Sequence, residues 1–136
     1  MTTKEPTFSA PDLDEESEEQ PELFFSNVEE FVTKHLIPSY NRSIDGNTRF
    51  WCPQWWRHPE AVQRLEAIWR AWEHLRQDPS TGMSVWWRDH ADYHLRVLMA
   101  GDGPFRACSV DEGHKDRTRK AAFPVEPAPR GLFDPQ

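Results

Sequence analysis

The sequence has only two cysteines in 136 residues. Two thiols cannot build the multi-bridge framework of a small secreted domain, so Cys52 and Cys108 are expected as thiols or metal thiolates. No apolar run approaches the roughly 18–20 residues needed to span a bilayer, and the N-terminus lacks the basic-then-apolar order of a signal peptide. These absences lead us to expect a cytoplasmic chain with no membrane segment. Also missing are H-E-x-x-H, a glycine-rich phosphate loop and G-x-S-x-G, which leaves no catalytic residue to name. A non-enzymatic role is the expectation.

Aromatic rings are plentiful by contrast: seven tryptophans and eight phenylalanines. Each buries roughly 150–250 Å² when packed, enough to build a compact core in a chain the length of one domain. Charge is unevenly spread. Residues 1–30 carry ten acidic groups and one lysine, whereas 31–136 are close to neutral at +2. With Pro6, Pro11 and Pro21 and little to bury, residues 1–22 are expected to be a disordered acidic tail, either a solubilising segment or a dock for a basic partner. Residues 23–110 are expected to form the helical domain. Residues 111–136, with Pro124, Pro127 and Pro129, are expected to be an extended proline-rich tail.

Three helices are legible. Ser26 and Glu29 fit a capping box with Phe25 as a staple, and Val28, Phe31, Val32 and His35 follow at helical spacing, so the first helix is placed over 26–37, before Pro38. Asn41, Asp45, Gly46 and Asn47 mark a loop. The aromatic block 50–58 fits no simple period. Pro59 and Glu60 suit a helix start, and Val62, Leu65, Ile68, Trp69, Trp72 and Leu75 form a stripe through 59–77. Pro79 and Gly82 then signal a turn, and Ser84 caps a third helix over 84–100 that ends at Gly101. At 100° per residue, Trp86, His90, Tyr93 and Val97 share one face of it, with Trp87, Ala91, His94 and Leu98 beside them. The fold class is therefore all-α: a small three-helix domain with an irregular aromatic segment and disordered tails.

The constellation with most chemistry is Cys52, His90, His94 and Cys108. Two histidines one turn apart can share a metal ion, and two thiolates complete the tetrahedral set of structural zinc. The same four residues also suit an ordinary core, because their spacing follows no zinc-finger pattern. Cys52 paired with a histidine would make a nucleophile and base, but no orienting third residue is visible. Asp89 and Asp92 do not converge with both histidines, which weakens a zinc-dependent enzyme. The pairs Trp55-Trp56 and Trp86-Trp87 suggest core packing with an edge left over, so Trp55, Trp56, Trp87 and Arg88 are the residues expected to meet a protein partner. A nucleic-acid-binding module is the alternative, with a ring stacking on a base and arginines on phosphates.

Several segments carry a resemblance: Trp51-Cys52-Pro53, Trp55-Trp56, His58-Pro59-Glu60-Ala61, Trp69-Arg70-Ala71-Trp72-Glu73, Gly82-Met83-Ser84, Trp86-Trp87-Arg88-Asp89-His90-Ala91-Asp92 and Gly103-Pro104-Phe105. Over about residues 50–108 the chain resembles an actinobacterial family known as domain of unknown function 4913. The resemblance implies a small protein encoded on an integrative, conjugative or phage-like element, often among genes for DNA transfer. It also implies recurrence of Cys52, His90, His94 and Cys108, and it assigns no catalytic residue. The function expected is that of a non-enzymatic accessory or adaptor protein of a mobile element, acting by protein–protein interaction.

Overall fold

In a computed structural model of the chain, residues 22–115 and 123–135 are described. The expected acidic tail lies almost wholly outside them, as do residues 116–122 of the expected C-terminal tail. Helix α1 covers 28–39 and combines an α-helical turn Val28–Phe31, a π-helical stretch Val32–Leu36 and a last turn Ile37–Ser39. Helix α2 is Pro59–Leu75. Helix α3 covers 82–99 as Gly82–Val85, a π-helical stretch Trp86–Ala91 and an α-helical end Asp92–Met99. A short 3₁₀ turn, Trp55–Arg57, lies within the aromatic block. No strand occurs among the described residues, only the single bridge between Ser109 and Gly113. The fold is all-α.

The helix ends differ slightly from expectation, for local reasons. Asn27, not Ser26, caps α1, because its side chain accepts the Glu30 N–H at 2.9 Å while the Glu30 carboxylate accepts the Ser26 N–H at 2.7 Å. The arrangement is related to a capping box, with the cap one residue later and the returning bond to the residue before it. Pro38 does not stop the helix: the Ile37 N–H reaches back five residues to Val32 O, and the π register carries the chain past a residue that has no N–H to give. Helix α3 begins at Gly82 without a side-chain cap, after a turn in which Asp78 accepts the Ser80 N–H at 2.9 Å and the Thr81 hydroxyl at 3.2 Å. A Cβ at Gly82 would stand 2.0 Å from Leu75 O. Only glycine fits there.

The chain divides into two compact units, Met1–Arg42 with Arg64–Tyr93, and Ser43–Gln63 with His94–Gln136. The first is held by rings: Phe25, Phe31 and Trp86 are buried, and the His35 ring lies 4.7 Å from Trp72 and 5.6 Å from Phe31 between ring centroids. Burial lowers the His35 pKa below its ordinary value, because water no longer solvates the cation. The Trp86 indole N–H donates to Ile68 O at 3.0 Å, which satisfies the one polar atom of a fully covered ring. The second unit buries Cys52, Trp55, His58, Ala61, Leu95, Leu98, Phe105 and Cys108. Its Phe50 N–H bonds to Met99 O at 3.0 Å, tying the aromatic block to the end of α3.

Candidate metal centre

All four candidate ligands come from two short segments of the second unit, and each segment is braced by its own backbone. In the first, Cys52 precedes the 3₁₀ turn Trp55–Arg57, and the His58 N–H closes that turn on Trp55 O at 3.0 Å. In the second, Cys108 opens a tight loop in which Gly113 N–H bonds to Ser109 O at 2.8 Å, Ser109 N–H returns to Gly113 O at 3.2 Å, and Glu112 N–H bonds to the Ser109 hydroxyl at 2.8 Å. Gly113 turns the loop with φ +82, a backbone region that side-chain-bearing residues avoid. His114 follows directly.

The two segments bring Cys52, His58, Cys108 and His114 together, with their ligand atoms all within 4.8 Å of one another. Cys52 Sγ is 3.4 Å from His114 Nδ1, and Cys108 Sγ is 3.5 Å from His58 Nε2 and 3.9 Å from His114 Nδ1. The two ring nitrogens are 3.1 Å apart. A tetrahedral ion held at about 2.3 Å by sulfur and about 2.0 Å by nitrogen requires sulfur and nitrogen about 3.5 Å apart and two nitrogens about 3.3 Å apart. These four separations match those edges to within about half an ångström, and the remaining pairs, Cys52 with Cys108 and with His58, lie within 4.8 Å. Hydrogen bonding alone explains the cluster poorly, since thiols are weak donors and each neutral imidazole has only one N–H to share. Four electron-pair donors gathered within 4.8 Å of one another suit a cation.

The surroundings fit a closed site. Cys52, Cys108 and His58 are buried, and His114 is half-buried. The Lys115 N–H donates to Cys108 Sγ at 3.4 Å, the kind of outer contact that steadies a thiolate ligand. Phe105 packs against the His58 ring with centroids 5.0 Å apart and fixes its plane. Without a metal, burial, opposed by the Gln54 backbone N–H and assisted by Cys108, pushes the Cys52 thiol up to about 11. Binding a divalent cation would therefore displace a proton from that sulfur.

The group the structure assembles shares two of its four members with the expected set Cys52, His90, His94 and Cys108. Cys52 and Cys108 converge, but the imidazoles beside them are those of His58 and His114, and His90 and His94 are not in the group. The reason lies in α3. Its π-helical stretch Trp86–Ala91 takes about one residue more per turn, so the buried residues run Trp86, Ala91, Leu95 and Leu98. His90 and His94 are turned off that line and are only half-buried. The signal that would have found the right pair is a repeated spacing: each cysteine has a histidine six residues later, C-x₅-H at 52/58 and again at 108/114.

The residues expected at a partner surface are also redistributed. Trp56 is 55% exposed, while Trp55 is buried and supplies packing. Trp87 stacks on Tyr40 with centroids 6.3 Å apart, and exposed Arg88 pairs with Asp89 at 2.8 Å. The Arg88 pairing holds the Asp89 carboxyl below its ordinary pKa and makes it a poor proton donor. No helix among the described residues is long and apolar enough to cross a membrane.

A family model described as a domain of unknown function, DUF4913, matches residues 25–129. The match includes both C-x₅-H segments. No curated protein and no solved structure matches the chain.

Proposed function

The chain belongs to the DUF4913 family, and we propose that it is a zinc-bound, non-enzymatic adaptor that acts by protein–protein interaction. The observation that carries this reading is the convergence of Cys52, His58, Cys108 and His114, whose ligand atoms lie within 4.8 Å of one another. Two thiolates and two imidazoles form a borderline-soft donor set that suits zinc over magnesium or calcium. Four protein ligands fill a tetrahedral ion, so the metal would hold the loops together and leave no open position for water. A zinc-dependent enzyme needs that open position and is disfavoured. The wider setting we propose, accessory work on an actinobacterial conjugative or phage-like element in the cytoplasm, rests on the sequence resemblance alone.

The test is the metal content of untagged protein by plasma mass spectrometry. About one zinc per chain is expected, lost in Cys52→Ser, His58→Ala and His114→Ala and retained in His90→Ala. Protein free of zinc, or a His58→Ala variant that keeps it, overturns the reading. A nucleic-acid-binding role draws support from exposed Trp56 and its exposed neighbour Arg57. Fluorescence anisotropy with single-stranded DNA measures it: binding that strengthens when residues 1–22 are deleted and weakens steeply with salt would favour that role over the adaptor.

A further inference from the structure

Beside the metal centre, within the same unit, lies a cavity of about 210 Å³. Cys108 forms part of its wall, so the loop that supplies the metal ligand also shapes the cavity. Ile44, Phe50, Trp51 and Val110 give it apolar and aromatic sides. Asp45 and Asp111 are its charged members, and among the described residues no basic side chain lines it.

Size and charge together restrict the occupant. Pockets for cofactors and drug-sized ligands run roughly 300–1,000 Å³, so this one suits a single side chain better than a nucleotide. Two carboxylates repel phosphate and attract a cation. Asp45 is capped by its own loop, its Oδ1 accepting the N–H groups of Asn47, Thr48 and Arg49 at 2.8–3.0 Å and its Oδ2 the Thr48 hydroxyl at 2.6 Å, so it adds fixed negative charge to the wall while exposed Asp111 is the carboxylate placed to pair with a cation. Asp111 and Val110 are exposed on the metal loop, within reach of an incoming chain. Aromatic walls favour a cation with an apolar stem, through ring faces and through burial of the methylenes.

We propose that this cavity receives one cationic side chain, an arginine or lysine, from a protein partner. The proposal deepens the adaptor reading and rests on it, because the metal keeps the Cys108–His114 loop in place. A basic residue anchored here would give the adaptor its specificity, with the acidic rim rejecting partners that present phosphate or carboxylate.

The test uses full-length, zinc-loaded protein and N-acetylarginine amide, followed by two-dimensional amide NMR, with N-acetylnorleucine amide as the uncharged counterpart. Saturable shifts at Gly46, Val110 and the Trp51 indole with the arginine probe alone are expected. Asp111→Asn should weaken binding about three-fold or more while leaving zinc content unchanged. No saturable response, equal shifts from the norleucine probe, or undiminished binding by Asp111→Asn overturns the proposal. Metal analysis of the same samples separates the two readings. An arginine response in protein that takes up no zinc leaves the cavity standing and removes the metal centre, whereas zinc-loaded protein without the response removes the cavity proposal alone.

Discussion

Glu73 is a buried acid on the helix α2, and its two oxygens are fully employed. They accept the Phe24 and Phe25 N–H groups at 2.9 and 3.0 Å, the Trp69 indole at 3.0 Å and Arg76 Nε at 3.2 Å. Burial alone would raise its pKa, but these donors outweigh it and hold the carboxyl below its ordinary value. A carboxylate is what this position needs. In Glu73→Gln an amide nitrogen would face another N–H, and a loss of about 1–3 kcal/mol in urea unfolding is expected. The pH dependence has a definite sign: a folded-state pKa below the unfolded one gives stability that is present above about pH 4.3 and lost as pH falls through the depressed value. Parent and Glu73→Gln should therefore converge in stability toward acid, and a constant gap from pH 7 to pH 3 would reject the assignment.

At the scale of the element, helix α3 departs from uniform 3.6-residue geometry, and the departure decides which side chains face inward. A periodicity that starts at Trp86 and assumes ordinary turns places His90, Tyr93 and Val97 with it, yet Tyr93 is 53% exposed and the buried line passes through Ala91, Leu95 and Leu98. The existence of α3 was legible, because Val85 to Leu98 is rich in helix-compatible apolar residues with a glycine on either side. Its phase was not, because nothing in Trp86-Trp87-Arg88-Asp89-His90-Ala91 announces a π turn. The two thiols were legible as candidate metal ligands for the opposite reason: their chemistry does not depend on helical phase. His58 and His114 were overlooked because one precedes Pro59 in an aperiodic block and the other sits in a polar run. The start of α3 yields its own prediction. Gly82→Ala puts a methyl group against Leu75 O, 2.0 Å away, so the turn must open. A loss of about 2–4 kcal/mol is expected, read as a lower midpoint in thermal circular dichroism; a midpoint unchanged within error would refute the close approach.

For the whole molecule, the division into two units would make the effect of removing the proposed metal local. Every candidate ligand belongs to the unit formed by Ser43–Gln63 and His94–Gln136. Chelation is expected to lower the melting temperature and to raise amide hydrogen exchange at Cys108 and Gly113 by about ten-fold or more. The Trp86 indole N–H, bonded to Ile68 O in the other unit, should keep its protection. Equal loss at both places would mean that the units open together. Acid should mimic the chelator, because protons compete with a metal ion for sulfur and nitrogen donors.

The distance along the chain between the two C-x₅-H segments carries a kinetic consequence. Cys52 and Cys108 are 56 positions apart, and closing a flexible loop of that length costs roughly 3.5 kcal/mol of entropy. A nascent chain offers an ion only half a site at a time, two donors per segment. The turn at Asp78 and the indole bond from Trp86 to Ile68 O fold the intervening chain back on itself, and they need no metal to form. On the proposed function, helix pairing would come first and bring the second pair of donors to the first, so zinc would be captured by a nearly finished cage. The rate of maturation would then be set by the chain and not by the supply of the ion.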